Sequence, residues 1–245
     1  YSVTGVQTCA LPIWSKNGTR IYFLTEWSMF FVGPGYPAYW EEGELLHQCK
    51  NLGAAYQIEE MDDAMVFILT KDDKVILADL EQCEVIKTVL DFSEWGEDYF
   101  SRLKGISYSA VGENLLYGRV LQKEDKIVRL DMKTGQSQVL GQGIAPAWSP
   151  DGQAIAYIRE DGVYVMNADG SDSRKLTEHG WFDELNYGPV TEERGLRWSP
   201  DGEWVIYHWD DDVLGKYVIY RIEVASGKQE VIGAGFFPDW RGGTQ

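Results

Sequence analysis

The pentapeptide Trp148-Ser-Pro-Asp-Gly152 recurs fifty residues later as Trp198-Ser-Pro-Asp-Gly202. In it Pro presets φ for the second position of a tight turn, Asp can bond nearby backbone, and Gly tolerates positive φ. Each copy opens an alternating apolar segment. After Gly152, Ala154, Ala156 and Ile158 fall on one side and Ile155 and Tyr157 on the other. After Gly202, Trp204, Ile206 and His208 oppose Val205, Tyr207 and Trp209. Strands with apolar residues on both faces suit packing between neighbouring sheets. Degenerate copies stand at Trp14-Ser-Lys-Asn-Gly18, Tyr108-Ser-Ala-Val-Gly112 and Pro238-Asp-Trp-Arg-Gly242. From Tyr108 the anchors Trp148, Trp198 and Trp240 follow at spacings of 40, 50 and 42 residues. A period near 40 with strand-like content is the signature of propeller blades.

Each repeat continues with a third segment, a second Gly turn and a fourth segment. The third segments are 126–131, 163–167 and 217–223; the turns close on Gly135, Gly170 and Gly227; the fourth segments are 136–140, 173–177 and 228–232. Four short strands per repeat is the blade plan. The expectation is an all-β propeller with blades at about 14–50, 54–90, 105–141, 145–177 and 195–232, and a terminal strand at 236–241. In the 14–50 blade the innermost strand is expected to be damaged or lost. Residues 236–241 are the alternative source of that strand, which would close a five-bladed ring.

Trp148 to Gly152, then Val163-Tyr-Val-Met-Asn-Ala-Asp-Gly170 and Arg174-Lys-Leu-Thr177, resemble the TolB-type, WD-like β-propeller repeat. Trp198 to Ile232 resembles it well, and the other blades match in outline. That repeat family includes periplasmic TolB, the propellers of prolyl-oligopeptidase-like serine peptidases and many bacterial extracytoplasmic proteins. The resemblance implies a periplasmic or secreted protein, and it specifies a fold better than a function. About five blades is fewer than is usual in the family, which implies an incomplete propeller.

The chain has 245 residues, 22 basic and 39 acidic, and a formal charge of −17. Nucleic-acid binding needs clustered Lys and Arg, so no nucleic-acid partner is expected. The longest apolar run, Met65 to Leu69, is too short to span a bilayer, so no direct membrane insertion is expected. Residues 3–13 resemble one translated frame of a DNA-sequencing adapter, so residues 1–13 are set apart as a non-native segment. Any signal peptide would lie upstream of it.

The chain carries no Gly-x-Ser-x-Gly elbow, no zinc-type Cys or His pairing and no Walker loop, so no catalytic residues, cofactor or metal are expected. His47, His179 and His208 are dispersed, and His208 is expected to be packed. Cys49 and Cys83 are either buried thiols or a pair, and spacing alone does not decide. Trp148, Pro150, Asp151, Gly152, Trp198, Pro200, Asp201, Gly202 and Trp240 are expected to be structural anchors of the repeat.

Strand alternation sends every second-to-third connection, and every exit to the next blade, to one face. Three long insertions, 27–43, 91–104 and 178–194, fall there. They mix carboxylates with Trp27, Tyr36, Tyr39, Trp40, Trp95, Tyr99, Trp181, Phe182 and Tyr187, and Asp210, Asp211 and Asp212 join them at an expected hairpin tip. Aromatics with charged neighbours suit a protein or peptide partner. The functional expectation is a non-enzymatic interaction scaffold binding through this face. The alternatives are a substrate-gating propeller of a serine peptidase whose hydrolase domain lies elsewhere, and a carbohydrate-binding or lyase propeller.

Overall fold

The structure is a computed structural model. It describes residues 13–15, 19–25, 36–41, 44–62, 64–92, 103–121, 124–159, 162–177, 195–211, 216–235 and 238–240. The described strands form five four-stranded antiparallel sheets, each wound in chain order. The first holds β1 (Ile13–Trp14), β2 (Arg20–Thr25), β3 (Tyr36–Glu41) and β4 (Glu44–Gln48). A short 3-10 turn, Lys50–Leu52, leads to β5 (Ala55–Asp62), β6 (Met65–Thr70), β7 (Lys74–Asp79) and β8 (Glu84–Asp91). The third sheet is β9 (Leu103–Ser109), β10 (Asn114–Leu121), β11 (Glu124–Asp131) and β12 (Ser137–Gln142). The fourth is β13 (Ile144–Trp148), β14 (Ala154–Arg159), β15 (Gly162–Asn167) and β16 (Arg174–Lys175). The fifth is β17 (Arg197–Trp198), β18 (Trp204–Asp211), β19 (Lys216–Glu223) and β20 (Gln229–Ala234). The chain divides into two compact units, one containing the first two sheets and the other spanning 94–240.

The innermost strand of the first sheet is damaged and not lost, and the expectation of a terminal strand is corrected. The first sheet keeps its innermost strand as a two-residue stub, in which Ile13 pairs with Tyr22 and Trp14 with Ile21. Ser15 then repeats the turn chemistry of the intact copies, since its hydroxyl accepts the Arg20 N–H at 2.9 Å and its N–H bonds the Arg20 carbonyl at 3.0 Å. The terminal strand expected at 236–241 is not a ladder strand where it is described, at 238–240. Pro238 has no N–H to give to a ladder. The segment is held by side chains instead: Trp240 Nε1 donates to the Arg197 carbonyl at 3.3 Å, and Asp239 lies 3.8 Å from the Arg197 guanidinium.

In both intact turns the roles are identical. Gly152 N–H bonds the Ser149 carbonyl, and Gly202 N–H bonds that of Ser199, each at 2.9 Å. Asp151 Oδ1 accepts the Ser149 hydroxyl at 2.6 Å and the Gln153 N–H at 3.0 Å, and Asp201 does the same for Ser199 and Glu203. The serine hydroxyl in turn accepts the N–H that starts the next strand, from Ala154 or Trp204, at 2.9 Å. Gly152 and Gly202 sit at φ +68° and +73°, the left-handed region that favours glycine.

Within 94–240 the fourth sheet is apolar on both faces, as its alternation requires. Ala156, Ile158, Val163 and Val165 pack with Val205, Tyr207, Val218 and Tyr220 of the fifth sheet. Ile155, Tyr157, Tyr164 and Met166 pack with Leu116 and Ile127 of the third. The inner strands β9 and β13 run side by side: an added Cβ on Gly105 would lie 2.9 Å from Ala145, and Ser107 Oγ accepts the Trp148 N–H at 3.1 Å. Trp198 Nε1 reaches back to the Ala147 carbonyl at 3.0 Å. In the first unit the core runs through Tyr22, Leu24, Tyr39, Ile58, Val66, Ile68, Ile76 and Leu80.

Candidate functional site

Of the expected partner-binding residues, Tyr39 is buried in the core, and Tyr36, Trp40, Asp210 and Asp211 stand in strands. The 27–43 insertion includes a strand: Tyr36-Pro-Ala-Tyr-Trp-Glu41 pairs along the whole of β2. Tyr39 is 4% exposed, packs near Tyr22 and carries the Arg20 guanidinium over its ring at 5.2 Å, so it belongs to the core. Tyr36 is half-buried, with Lys50 Nζ 5.6 Å from its ring centre. Trp40 stands in β3 between Ile21 and Leu45. Asp210 and Asp211 end β18, paired with Tyr217 and Lys216 at the connecting end of the β18–β19 hairpin. Trp27, Trp95, Tyr99, Trp181, Phe182, Tyr187 and Asp212 lie outside the described residues.

What the described part of that face does hold is a set of charged groups where second strands end and third strands begin. Tyr117-Gly-Arg119 on β10 and Tyr157-Ile-Arg159 on β14 occupy equivalent repeat positions, so both arginines stand at the same end of adjacent sheets. Arg119 is only 6% exposed, and burial pushes its guanidinium below its ordinary value. Arg159 lies over the Tyr164 ring at 4.9 Å. Lys104 and Asp125 form an ion pair of 2.9 Å beside them, and Lys126 pairs with Glu124, whose carboxyl it holds below the usual range. In the fifth sheet the position next to the tyrosine is His208, 3% exposed and opposite Ile219. The Tyr-x-Arg recurrence was visible in the sequence, but nothing in it marked Arg119 as buried.

Among the described residues no group of three His, Cys, Asp or Glu side chains could hold a metal ion. Nor is any described helix long and apolar enough to cross a membrane. Cys49 and Cys83 form a disulfide, with Cα atoms 5.2 Å apart across a separation of 34 residues.

Comparison with known proteins adds to this geometry. Residues 122–222, from the third sheet into β19, match the family model of the dipeptidyl peptidase IV N-terminal region. A dipeptidyl peptidase 4 of Trichophyton rubrum is 35% identical over 91 residues, which is 32% of this chain and 12% of that protein. The peptidase YuxL of Bacillus subtilis is 38% identical over 66 residues, 25% of this chain and 8% of that protein. The chain thus spans about an eighth of the length of the dipeptidyl peptidase it matches. Among solved structures, a chain of a nidogen–laminin complex superposes with a TM-score of 0.66 at 13% identity, over 94% of this chain and 81% of that one. An oligogalacturonate lyase of Vibrio parahaemolyticus gives 0.59 at 16% identity, over 94% and 66%. TolB of Acinetobacter baumannii is also matched, at a TM-score of 0.48 and 20% identity over 68% and 37%. The fold is a β-propeller. In 122–222 it resembles the N-terminal propeller region of dipeptidyl peptidase IV.

Proposed function

We propose that this chain is propeller from a dipeptidyl-peptidase-like serine peptidase, and that its face of second-to-third-strand connections meets the peptide substrate. The family match over 122–222 carries this reading, since it covers both intact Trp-Ser-Pro-Asp-Gly repeats and the sequence relatives reported above are peptidases. Arg159, half-buried on that face, gives it chemical content. A guanidinium presents a rigid fork of donors that fits a peptide carboxylate or main-chain carbonyls. The disulfide supports folding in an oxidising compartment, hence a periplasmic or secreted protein.

The test is to recover the native gene on both sides of this sequence, express its product and assay release of dipeptides from dipeptidyl p-nitroanilides. Activity that depends on a Gly-x-Ser-x-Gly serine outside residues 14–245 is expected, and Arg159→Met should raise KM more than it lowers kcat. A gene product with no hydrolase region overturns the reading. A non-enzymatic protein-interaction scaffold is the second reading. It draws on the nidogen–laminin neighbour, a propeller fold found in a complex with another protein.

A further inference from the structure

The turn between β7 and β8 is fastened to the preceding sheet at three points. Arg20, at the start of β2, donates to Glu81 at 2.7 Å. Asn51 Nδ2 donates to the Cys83 carbonyl at 2.6 Å. Between them runs the Cys49–Cys83 disulfide. The two sulfurs are unequally placed. Cys49 is fully buried in the core of the first two sheets, whereas Cys83 is half-buried in an exposed turn between Gln82 and Glu84. Thiol–disulfide exchange needs an incoming thiolate to reach a sulfur, so access selects which one is attacked.

We propose that Cys83 is a thiol–disulfide exchange site, and that opening its bond loosens the 80–83 turn by removing its one covalent fastening. An external thiolate attacks Cys83 Sγ and forms a mixed disulfide there, and the Cys49–Cys83 electron pair leaves with Cys49. The Cys49 thiolate takes a proton from solvent, and its sulfur already lies 3.4 Å from the Leu80 carbonyl, an acceptor for the new S–H. A second thiol on the same reductant then attacks the mixed disulfide, freeing the Cys83 thiol and leaving the reductant oxidised. Because Cys49 is fully buried and Cys83 is not, attack is one-sided. The reductant class this fits is a dithiol. Neither cysteine lies within the 122–222 match, so the device is independent of the peptidase reading.

The test uses the whole chain. It is exposed to reduced glutathione, quenched with an alkylating agent and mapped by peptide mass spectrometry. A parallel sample is reduced with dithiothreitol and followed by hydrogen exchange. The expected result is glutathione on Cys83 in at least about tenfold excess over Cys49. After reduction, amide exchange in 44–52 and 80–88 should rise at least about tenfold while that in 144–177 stays unchanged. Cys83→Ser should reproduce the reduced pattern; reduction of the wild-type chain gives the same readout without that variant. Glutathione on Cys49, alkylation of both cysteines before any reductant is added, or unchanged exchange after reduction would each overturn the proposal.

Discussion

Trp240 stands to Arg197 as Trp198 stands to Ala147. Each indole N–H donates to the carbonyl of the residue just before the previous anchor tryptophan, at 3.3 and 3.0 Å. One repeat earlier the relation fails: Trp148 is 8% exposed, and its indole N–H has no hydrogen-bond partner among the described residues. The preceding repeat carries Tyr108 in place of the tryptophan, and its Ser107 hydroxyl is spent on the Trp148 backbone N–H.

This sets an order among three substitutions. A net hydrogen bond of this kind contributes about 1 kcal/mol. Trp198→Phe and Trp240→Phe should each lose it on top of lost ring burial. Trp148→Phe loses burial alone and removes an unsatisfied buried N–H, which offsets part of the cost. Urea unfolding of the three variants should therefore place Trp148→Phe as the mildest. If Trp148→Phe proves the costliest, the indole hydrogen bonds are not what anchors the repeat.

The repeats were legible because their turns are chemically explicit. Ser149, Asp151 and Gly152 each perform the bond their residue type predicts, and the two-sided apolar pattern of 154–158 became packing against two neighbouring sheets. The expected binding loops were read less well, because aromatic content does not distinguish a loop from a strand edge. Tyr36 to Glu41 lies within the expected 27–43 insertion, yet it forms β3 against β2, and the Arg20 guanidinium covers Tyr39. The disulfide depends on a blade-to-blade contact that no local pattern encodes.

Gly118 occupies the repeat position filled by Ile158 and His208, so a side chain there is normal for the fold. In the third sheet the pairing between β9 and β10 shifts register between Tyr117 and Arg119. That shift brings the Lys104 carbonyl to 2.4 Å from where a Gly118 Cβ would lie. Gly118→Ala should destabilise the 94–240 unit by about 1–3 kcal/mol, the usual cost of overpacking. Ile158→Ala tests the opposite failure at the equivalent site, a cavity costing about 2–5 kcal/mol. Equal stability of Gly118→Ala and wild type in denaturant titrations would show that β9 shifts freely and that the bulge is not fixed.

The turn aspartates make stability depend on acid. The Ser149 hydroxyl, then the Gln153 N–H, hold the Asp151 carboxyl below the usual range, and Ser199 and Glu203 do the same for Asp201. A carboxylate whose folded pKa is depressed contributes stability above its unfolded value, near 3.9, and loses it as pH falls through the lower folded value. Asp151→Asn with Asp201→Asn should lower the melting temperature at neutral pH. The gap to wild type should narrow as the pH is taken below about 3.9. A gap that stays constant down to pH 2 would mean the charge on these turns contributes nothing.

The first unit carries a corresponding liability to base. Burial, and secondarily the charge of Glu60, push the Tyr22 phenol up to about 12. An unfolded tyrosine ionises near 10, so folding favours the neutral phenol. The sign is therefore opposite to that of the turn aspartates. The contribution is complete below pH 10 and is lost as pH rises from about 10 toward 12. Tyr22→Phe keeps the ring that packs near Tyr39 and removes the ionisation. The variant should resist base better than wild type. The check is near-ultraviolet tyrosinate absorbance together with hydrogen exchange of β2 and β3 between pH 9 and 12. Identical base-induced opening in the two proteins would assign the alkaline transition to another group.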